Sequence, residues 1–576
     1  MAATLIPSSK ATPWGAYGPG SPSDFCIFLT ETNCSWLGLI HGLKSIGVPC
    51  SITRDVKEAI QHPTVLVYPL ISGRVLSKAD FNTLADFMRE GGTLLAINVL
   101  GGFPDLFGVQ AAEISKGHSA IVLNPAVMQR FGLDPLTENR IQIGRVKGGA
   151  VAGTYAYKLD GGKVVATYEN GEPALVEKAV GRGKGCAIGL DVGHYFSVAY
   201  NNRVELQTDR YVNAFEPSID ILLRLLKRYY LEGNQTAVVI GTVPSGRSAS
   251  VVMSHDIDFT GSLSNAVEYA AVEASMGVKA TYFLQTKYVK DYNDDIFFNS
   301  NGLPHLRRLQ ALNMEVASHS VAHAPSFAGF EMGTGTEKYP QYLPSVQSRQ
   351  TTRNGSLLGE LRVSKFLIEH FGGRSVISFR PGHLSYPERL PEALAAVGYR
   401  YSSSVTANSS LTHLPYRLNH SRGYESESSI FEFPVTIEDE EKPPLHQRLE
   451  QALKIYQSLA RYGGTMILLI HTETTGSKLE FVRRFIQGTV ADAWYGTLSE
   501  LGEWWSARDS LTVRAVREGG NLTVVIATQH PLRGVALEVD DHWVSATDGA
   551  APLKKFRGAW IIPELKQSVT LTFLPQ

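Results

Sequence analysis

Four times between residues 250 and 473 the chain runs a short apolar stretch straight into a titratable side chain. A stretch of aliphatic and β-branched residues without polar alternation is what a strand buried on both faces requires. Parallel sheets provide that environment, and proteins built on them gather their reactive groups at the carboxyl ends of the strands. The pattern therefore constrains this half of the chain to an α/β fold with a site at the strand ends.

The first run, SVVMSHDID at residues 250–258, ends in two carboxylates one residue apart. At a strand period of two, Asp256 and Asp258 point the same way, or converge where the strand frays. Carboxylates ending an apolar strand are costly unless something cationic meets them. The second run, MEVASHSVAH at residues 314–323, brings His319 and His323. At i and i+4 on one face of a helical turn, two imidazoles are spaced to chelate one metal ion. One carboxylate and two imidazoles leave positions for water and substrate, the catalytic kind of metal site. The third run, VISFRPG at residues 376–382, ends in Arg380, which can hold a carboxylate ionised through a bidentate contact. The fourth, TMILLIHTE at residues 465–473, ends in His471, which can donate a proton to a leaving group near neutral pH. Taken singly, each has a plain structural reading: a surface acid pair, helix-surface histidines, a surface arginine after a strand, a satisfied core histidine.

Composition excludes several classes. Lys+Arg total 54 against 55 Asp+Glu, a net charge of -1, so neither a basic nucleic-acid binder nor an acidic tail is indicated. With 43% hydrophobic and 19% charged residues, disorder over most of the 576 residues is excluded. No stretch approaches the roughly 18 apolar residues of a membrane helix, and residues 1–25 have no apolar core of signal length. The expectation is a cytoplasmic location, or secretion if a cleaved signal precedes this sequence. The four cysteines, Cys26, Cys34, Cys50 and Cys186, are too few for a disulfide scaffold, match no zinc spacing, and read as buried free thiols.

Residues 1–23 form an irregular lead-in rich in Ser, Pro, Gly and Ala. Residues 24–235 read as an α/β domain. Strands are predicted at 25–29, 64–69 and 93–99, helices at 36–46 and 78–89 with Ser77 as N-cap, and a β insertion within 109–180. This part resembles the class I glutamine-amidotransferase-like, flavodoxin-like domains, whose late strand is similar to GKGCAIGLD at residues 183–191. Catalytic members place a cysteine at a tight turn after a central strand. Here that turn reads LGGF at 100–103, and Cys186 sits inside an apolar strand, so the domain reads as non-catalytic. A boundary is expected at 233–249 and a second α/β domain at 249–508. Residues 511–576 alternate apolar and polar positions, with strands at 522–526, 535–539 and 569–573, and predict a small antiparallel β-sandwich.

In order and spacing, the four runs resemble the polysaccharide deacetylase domain (NodB homology, carbohydrate esterase family 4) over about residues 249–505. The resemblance implies a distorted (β/α) barrel and a role for each strand-end residue. Asp256 is the general base, and Asp258, His319 and His323 hold a divalent metal. Arg380 orients the base, and His471 is the general acid. It further implies metal-dependent removal of an acetyl group from an amino sugar or polysaccharide, with metal-bound water as the nucleophile. Zinc suits two imidazoles and one carboxylate, and cobalt, nickel, manganese and iron remain alternatives. Hydrolysis of a small linear or cyclic amide, or carbohydrate binding without catalysis, also stays open, as does the oligomeric state.

Two departures stand out. The family more usually has adjacent aspartates, and some members have the Asp-x-Asp form found here. The later strand, GYRYSSS at residues 398–404, has Ser402 or Ser403 where the family has an aspartate supporting the arginine, so the support of Arg380 is open. His255 is a candidate partner of the base and His383 a candidate substrate contact. An insertion at residues 324–356 carries Phe327, Phe330, Tyr339 and Tyr342, either sugar platforms or a packed lid. Trp494, Trp504 and Trp505 read as core or domain-interface residues.

Overall fold

The computed structural model describes residues 10–100, 103–145, 149–204, 207–208, 210–546 and 553–576. Contacts divide them into two units. One comprises Arg210–Phe215 and Arg247–Ser506 with residues 10 and 11; the other comprises Thr12–Asp209, Glu216–Gly246 and Ala507–Gln576.

The first unit is organised on one sheet. Its strands are β1 (Ser250–Ile257), β2 (Ala280–Leu284), β3 (Glu315–Ser318), β4 (Ser378–Phe379), β5 (Tyr401–Ser402), β6 (Tyr416–Asn419), β7 (Glu427–Glu432), β8 (Val435–Glu438), β9 (Thr465–His471) and β10 (Trp494–Tyr495). The order is β6-β7-β5-β4-β3-β2-β1-β9-β8, with β10 beside β1. Pairing is parallel throughout except between β6 and β7. All eight residues of β1 are buried, and all of β9 but His471, so the unbroken apolar runs are strands covered on both faces. Helices such as Thr260–Ser275, Leu357–Gly372 and Leu449–Ala460 supply the cover. Among the described residues no pairing joins β6 to β8, so the barrel stays open.

Register builds the site. Ile257 pairs with Leu284, Leu284 with Ser318, Ser318 with Phe379 and Phe379 with Ser402. The next residue along four of these strands is Asp258, His319, Arg380 or Ser403. On the other side of β1, Asp256 pairs with His471. One row across the sheet thus delivers every strand-end group to the same level.

The second unit holds a nine-stranded mixed sheet. Five strands are parallel in the order Cys50–Thr53, Phe25–Leu29, Thr64–Tyr68, Thr93–Ile97 and Gly183–Ile188. Four antiparallel strands continue it: Pro173–Val180, Lys163–Tyr168, Ala120–Leu123 and Arg140–Gln142. The helix Lys78–Arg89 begins at Ser77 in a reciprocal capping box with Asp80, as its sequence predicts. Two antiparallel four-stranded sheets account for the C-terminal alternation. One is not made from residues 511–576 alone, because Val238–Ile240, in the stretch predicted as an irregular boundary, pairs with Leu532–Val539.

All four cysteines are free, but only Cys26 and Cys186 are buried; Cys34 and Cys50 are partly exposed, against expectation. Cys186 points its thiol at the Tyr229 hydroxyl (3.6 Å), and burial pushes that thiol up to about 12. It is therefore no thiolate near neutral pH, in line with the non-catalytic reading. The turn predicted at 100–103 lies partly outside the described residues. Among the described residues no helix is long and apolar enough to cross a membrane.

Candidate metal centre

The four strand ends converge. Asp258 Oδ1 lies 3.2 Å from His319 Nε2 and 3.4 Å from His323 Nε2, and Asp258 Oδ2 lies 3.5 Å from His471 Nε2. One ligand atom from each of Asp258, His319 and His323 falls within 4.8 Å of the others, and all three residues are buried.

His319 is oriented by its other nitrogen. Nδ1 sits 2.8 Å from the Arg380 carbonyl, which only accepts, so Nδ1 carries the proton and Nε2 presents its lone pair. Among the described residues, neither Asp258 Oδ1 nor His319 Nε2, both buried, has a hydrogen-bond partner. Two lone-pair donors 3.2 Å apart in a buried pocket repel unless positive charge stands between them. The carboxylates draw positive charge to this point, either as a proton on His319 or as a cation. Burial works against charge at His319, but the Asp256 and Asp258 carboxylates outweigh it and raise its pKa. Burial likewise works against the Asp258 carboxylate, but His323, His319 and His471 hold its pKa below the usual range. Burial lowers His323 to about 3, the neutral form a ligand needs. One carboxylate oxygen and two imidazole nitrogens are the donor set of a divalent transition-metal site, and the residues fit such an ion.

Asp256 faces the same pocket. Its Oδ1 accepts from Arg380 Nη1 at 2.7 Å, and its Oδ2 lies 3.7 Å from His319 Nε2. Arg380 is fully buried. Its Nη2 donates to the Ser254 and Ser403 hydroxyls, both at 2.9 Å, and its Nε donates to the Ser403 carbonyl at 3.1 Å. Its guanidinium lies over the Phe283 ring, 4.2 Å from the centroid. Ser403 therefore answers the open question of what supports the arginine, while Ser402 turns away to Ser404.

Sequence reasoning missed two carboxylates. Asp439 Oδ1 lies 2.7 Å from His471 Nδ1, its Oδ2 accepts the His471 main-chain N–H at 2.9 Å, and Lys478 Nζ is 2.6 Å from Oδ2. Burial disfavours the imidazolium, but the Asp439 hydrogen bond, with the charges of Asp439 and Asp258, raises His471 to about 10. Glu360, on the helix Leu357–Gly372, accepts the Val321 and Ala322 main-chain N–H groups. A glutamate among the apolar residues Leu357, Leu358, Leu361 and Val363 of that helix was its one sequence signal.

Two expectations need correction. His319 and His323 are not on a helical turn; residues 319–323 form a loop with left-handed φ at Ser320 (67°) and His323 (50°), and the rings converge at a centroid distance of 4.9 Å. His255 does not partner the base. Strand alternation turns it to the other face, where Nε2 is 2.7 Å from Glu273 Oε1 and the ring stacks on Tyr282. In the insertion, Phe327 and Tyr342 are buried and pack, Phe330 leans on Phe327, and Tyr339 alone of the four is exposed, 43%. Trp504 and Trp505 are buried and Trp494 partly so. His383 is exposed beside the centre, its ring 4.5 Å from that of His323.

Comparison with known families matches residues 260–402 to polysaccharide deacetylase. The match spans roughly a quarter of the chain and includes His319, His323 and Arg380. No curated protein matches the chain. Among solved structures, the chain is similar to Agd3, a carbohydrate deacetylase, at 10% identity over 96% of this chain and 99% of that one, TM-score 0.43. It is also similar to the Xyl-CE4 domain of a multidomain xylanase from the hindgut metagenome of Trinervitermes trinervoides, at 18% identity over 44% and 90%, TM-score 0.28. A family 4 carbohydrate esterase from Streptomyces lividans follows at 16% identity over 44% and 93%, TM-score 0.26. All three scores are low, and it is the family match that bears on function. The expectation of a deacetylase-type hydrolase is met by that match: the chain carries a polysaccharide deacetylase domain.

Proposed function

We propose that the chain is a divalent-metal-dependent hydrolase that removes an acetyl group from the nitrogen of an amino sugar or its polymer. The observation that carries this reading is the unpartnered pair Asp258 Oδ1 and His319 Nε2, 3.2 Å apart beside a buried Arg380–Asp256 ion pair.

Asp258, His319 and His323 hold the cation, with zinc the first candidate. A divalent cation bound there polarises the amide carbonyl and makes water acidic enough to attack near neutral pH. Asp256 Oδ2 accepts the proton of the attacking water, and Arg380 keeps that carboxylate ionised and aimed by holding Oδ1. His471 Nε2 delivers a proton to the departing nitrogen, its ring fixed by Asp439 at Nδ1. His383, exposed at the rim, contacts the sugar. The second unit's parallel strand order, second-first-third-fourth-last, supports the flavodoxin-like reading of that unit.

The test is metal content together with acetate release from N-acetylglucosamine oligomers, set against release from small amides. Wild-type protein is expected to carry one divalent ion and to release acetate from the oligomers. His319→Ala and His323→Ala are expected to lose both ion and turnover. Retention of both in the two variants overturns the reading, and release from small amides alone moves it to a non-sugar substrate.

A further inference from the structure

The geometry points to Glu360 as a positioning residue that sets the backbone between the two histidine ligands; this rests on the metal reading above. Only Ser320, Val321 and Ala322 separate His319 from His323. The Val321 and Ala322 N–H groups both donate to Glu360 Oε2, at 2.7 and 2.8 Å. Successive main-chain N–H groups converging on one anion form a nest, and Glu360 is the anion held in it. Its other oxygen accepts from the Tyr342 hydroxyl at 2.9 Å, and that hydroxyl in turn accepts the Ser356 main-chain N–H at 3.0 Å. Glu360 itself is fully buried.

The loop needs such a hold. Ser320 and His323 both take left-handed φ, which is unfavourable for residues with a Cβ and persists only where the surroundings over-determine it. The carbonyls are tied as well: Ser320 O accepts from the Thr286 main-chain N–H at 3.1 Å and His323 O from Asn293 Nδ2 at 3.2 Å. The middle two amides have Glu360. Without it, Val321 and Ala322 keep two buried N–H groups unpaired, and the loop relaxes toward ordinary φ. That relaxation swings His323 Nε2 away from Asp258.

Glu360 is set by its helix. Ser356 caps the helix Leu357–Gly372 by accepting from the Gly359 N–H, and Gly373 closes it in a left-handed conformation. This places Glu360 in the first turn, pointing inward. Tyr342 belongs to the insertion at residues 324–356, so the insertion reaches the ligands through Tyr342 and Glu360.

The test uses the full chain with zinc and, separately, cobalt(II). Glu360→Ala is expected to weaken zinc binding about 10- to 100-fold in chelator competition, and to change the visible spectrum of the cobalt protein. Glu360→Gln keeps an oxygen for the two N–H groups and is expected to restore both toward wild type, whereas Glu360→Met, which fills similar space without an acceptor, is expected to stay close to Glu360→Ala. Tyr342→Phe leaves the carboxylate in place and removes the hydroxyl that donates to it, together with the acceptor of the Ser356 main-chain N–H. It is expected to weaken zinc binding several-fold, and it stands in for Glu360→Ala should that variant not fold. Wild-type zinc affinity and an unchanged cobalt spectrum in folded Glu360→Ala, or in Tyr342→Phe standing in for it, overturn the inference. A wild-type protein that binds neither metal overturns the metal reading and this inference with it.

Discussion

Arg380 grips Ser403 twice, donating from Nη2 to its hydroxyl at 2.9 Å and from Nε to its carbonyl at 3.1 Å. Ser403 is neutral and adds no second negative charge beside the guanidinium. Among the described residues Asp256 is the one anion in an ion pair with Arg380, so its stabilisation by the guanidinium is undivided.

That asymmetry gives a stability prediction for the metal-free protein. Arg380→Ala strands a buried carboxylate and is expected to cost about 3–5 kcal/mol. Ser403→Ala removes one hydroxyl acceptor, leaves the carbonyl, and is expected to cost about 1–2 kcal/mol. Urea unfolding of both variants checks the ranking; equal losses would show that Asp256 is not the principal partner.

Gly382 is the second test of geometry. A Cβ built there meets His323 Cδ2 at 2.5 Å and Cγ at 2.8 Å. The Pro-Gly turn after Arg380 is thus a close approach of backbone to the His323 ring. Gly382→Ala is expected to push His323 aside and to weaken zinc binding by at least about tenfold, a change of about 1.4 kcal/mol, with the fold kept. Chelator competition, with circular dichroism as the control, reads it. Unchanged affinity would remove His323 from the ligand set.

What the sequence made legible follows one physical rule. Strands buried on both faces read as unbroken apolar runs, and the polar residue at each end stands out, as with Asp256, His319, Arg380 and His471. Alternation also separates Asp256 from His255, and applying it strictly puts His255 behind the sheet, where it is found. Three things were not legible. The left-handed φ at Ser320 and His323 has no signature in spacing, so the histidines read as a helical pair. Glu360 and Asp439 find their partners 39 and 32 residues away, which no local pattern records. The strand Val238–Ile240 is three residues long and takes its partner from the far end of the chain.

Asp439 makes the proton-delivering role proposed for His471 testable apart from metal binding. It holds Nδ1 of that ring and the Lys478 ammonium, and it belongs to no part of the Asp258–His319–His323 set. Asp439→Asn keeps the shape and removes the charge. Deacetylase turnover is expected to fall on the order of 100-fold, while bound metal stays at the wild-type level. Steady-state kinetics beside metal analysis decide it. Unchanged turnover would take His471 out of the chemistry, and loss of metal would make Asp439 part of the ligand scaffold.

In the second unit, Asp24 is expected to make stability depend on pH. Its Oδ2 accepts the Ser21 main-chain N–H at 2.8 Å, and among the described residues its buried Oδ1 has no hydrogen-bond partner. Burial raises this carboxyl from its ordinary 3.8 to about 6, with the Ser21 N–H pulling the other way. The folded chain therefore holds this proton more tightly than the unfolded chain. Below pH 3.8 both states are protonated and Asp24 costs nothing. As pH rises from 3.8 to about 6 the unfolded chain ionises first, and stability falls by about 3 kcal/mol at 1.36 kcal/mol per pH unit. Above about 6 both states are ionised and the loss is constant. Asp24→Asn keeps an oxygen for Ser21 and has nothing to titrate. Urea unfolding of wild type and variant from pH 4 to 8 is expected to show the variant gaining on the wild type up to about pH 6 and holding that lead above it. Parallel curves across that range would mean that Asp24 ionises as it does in water, and that its burial is relieved by solvent reaching Oδ1.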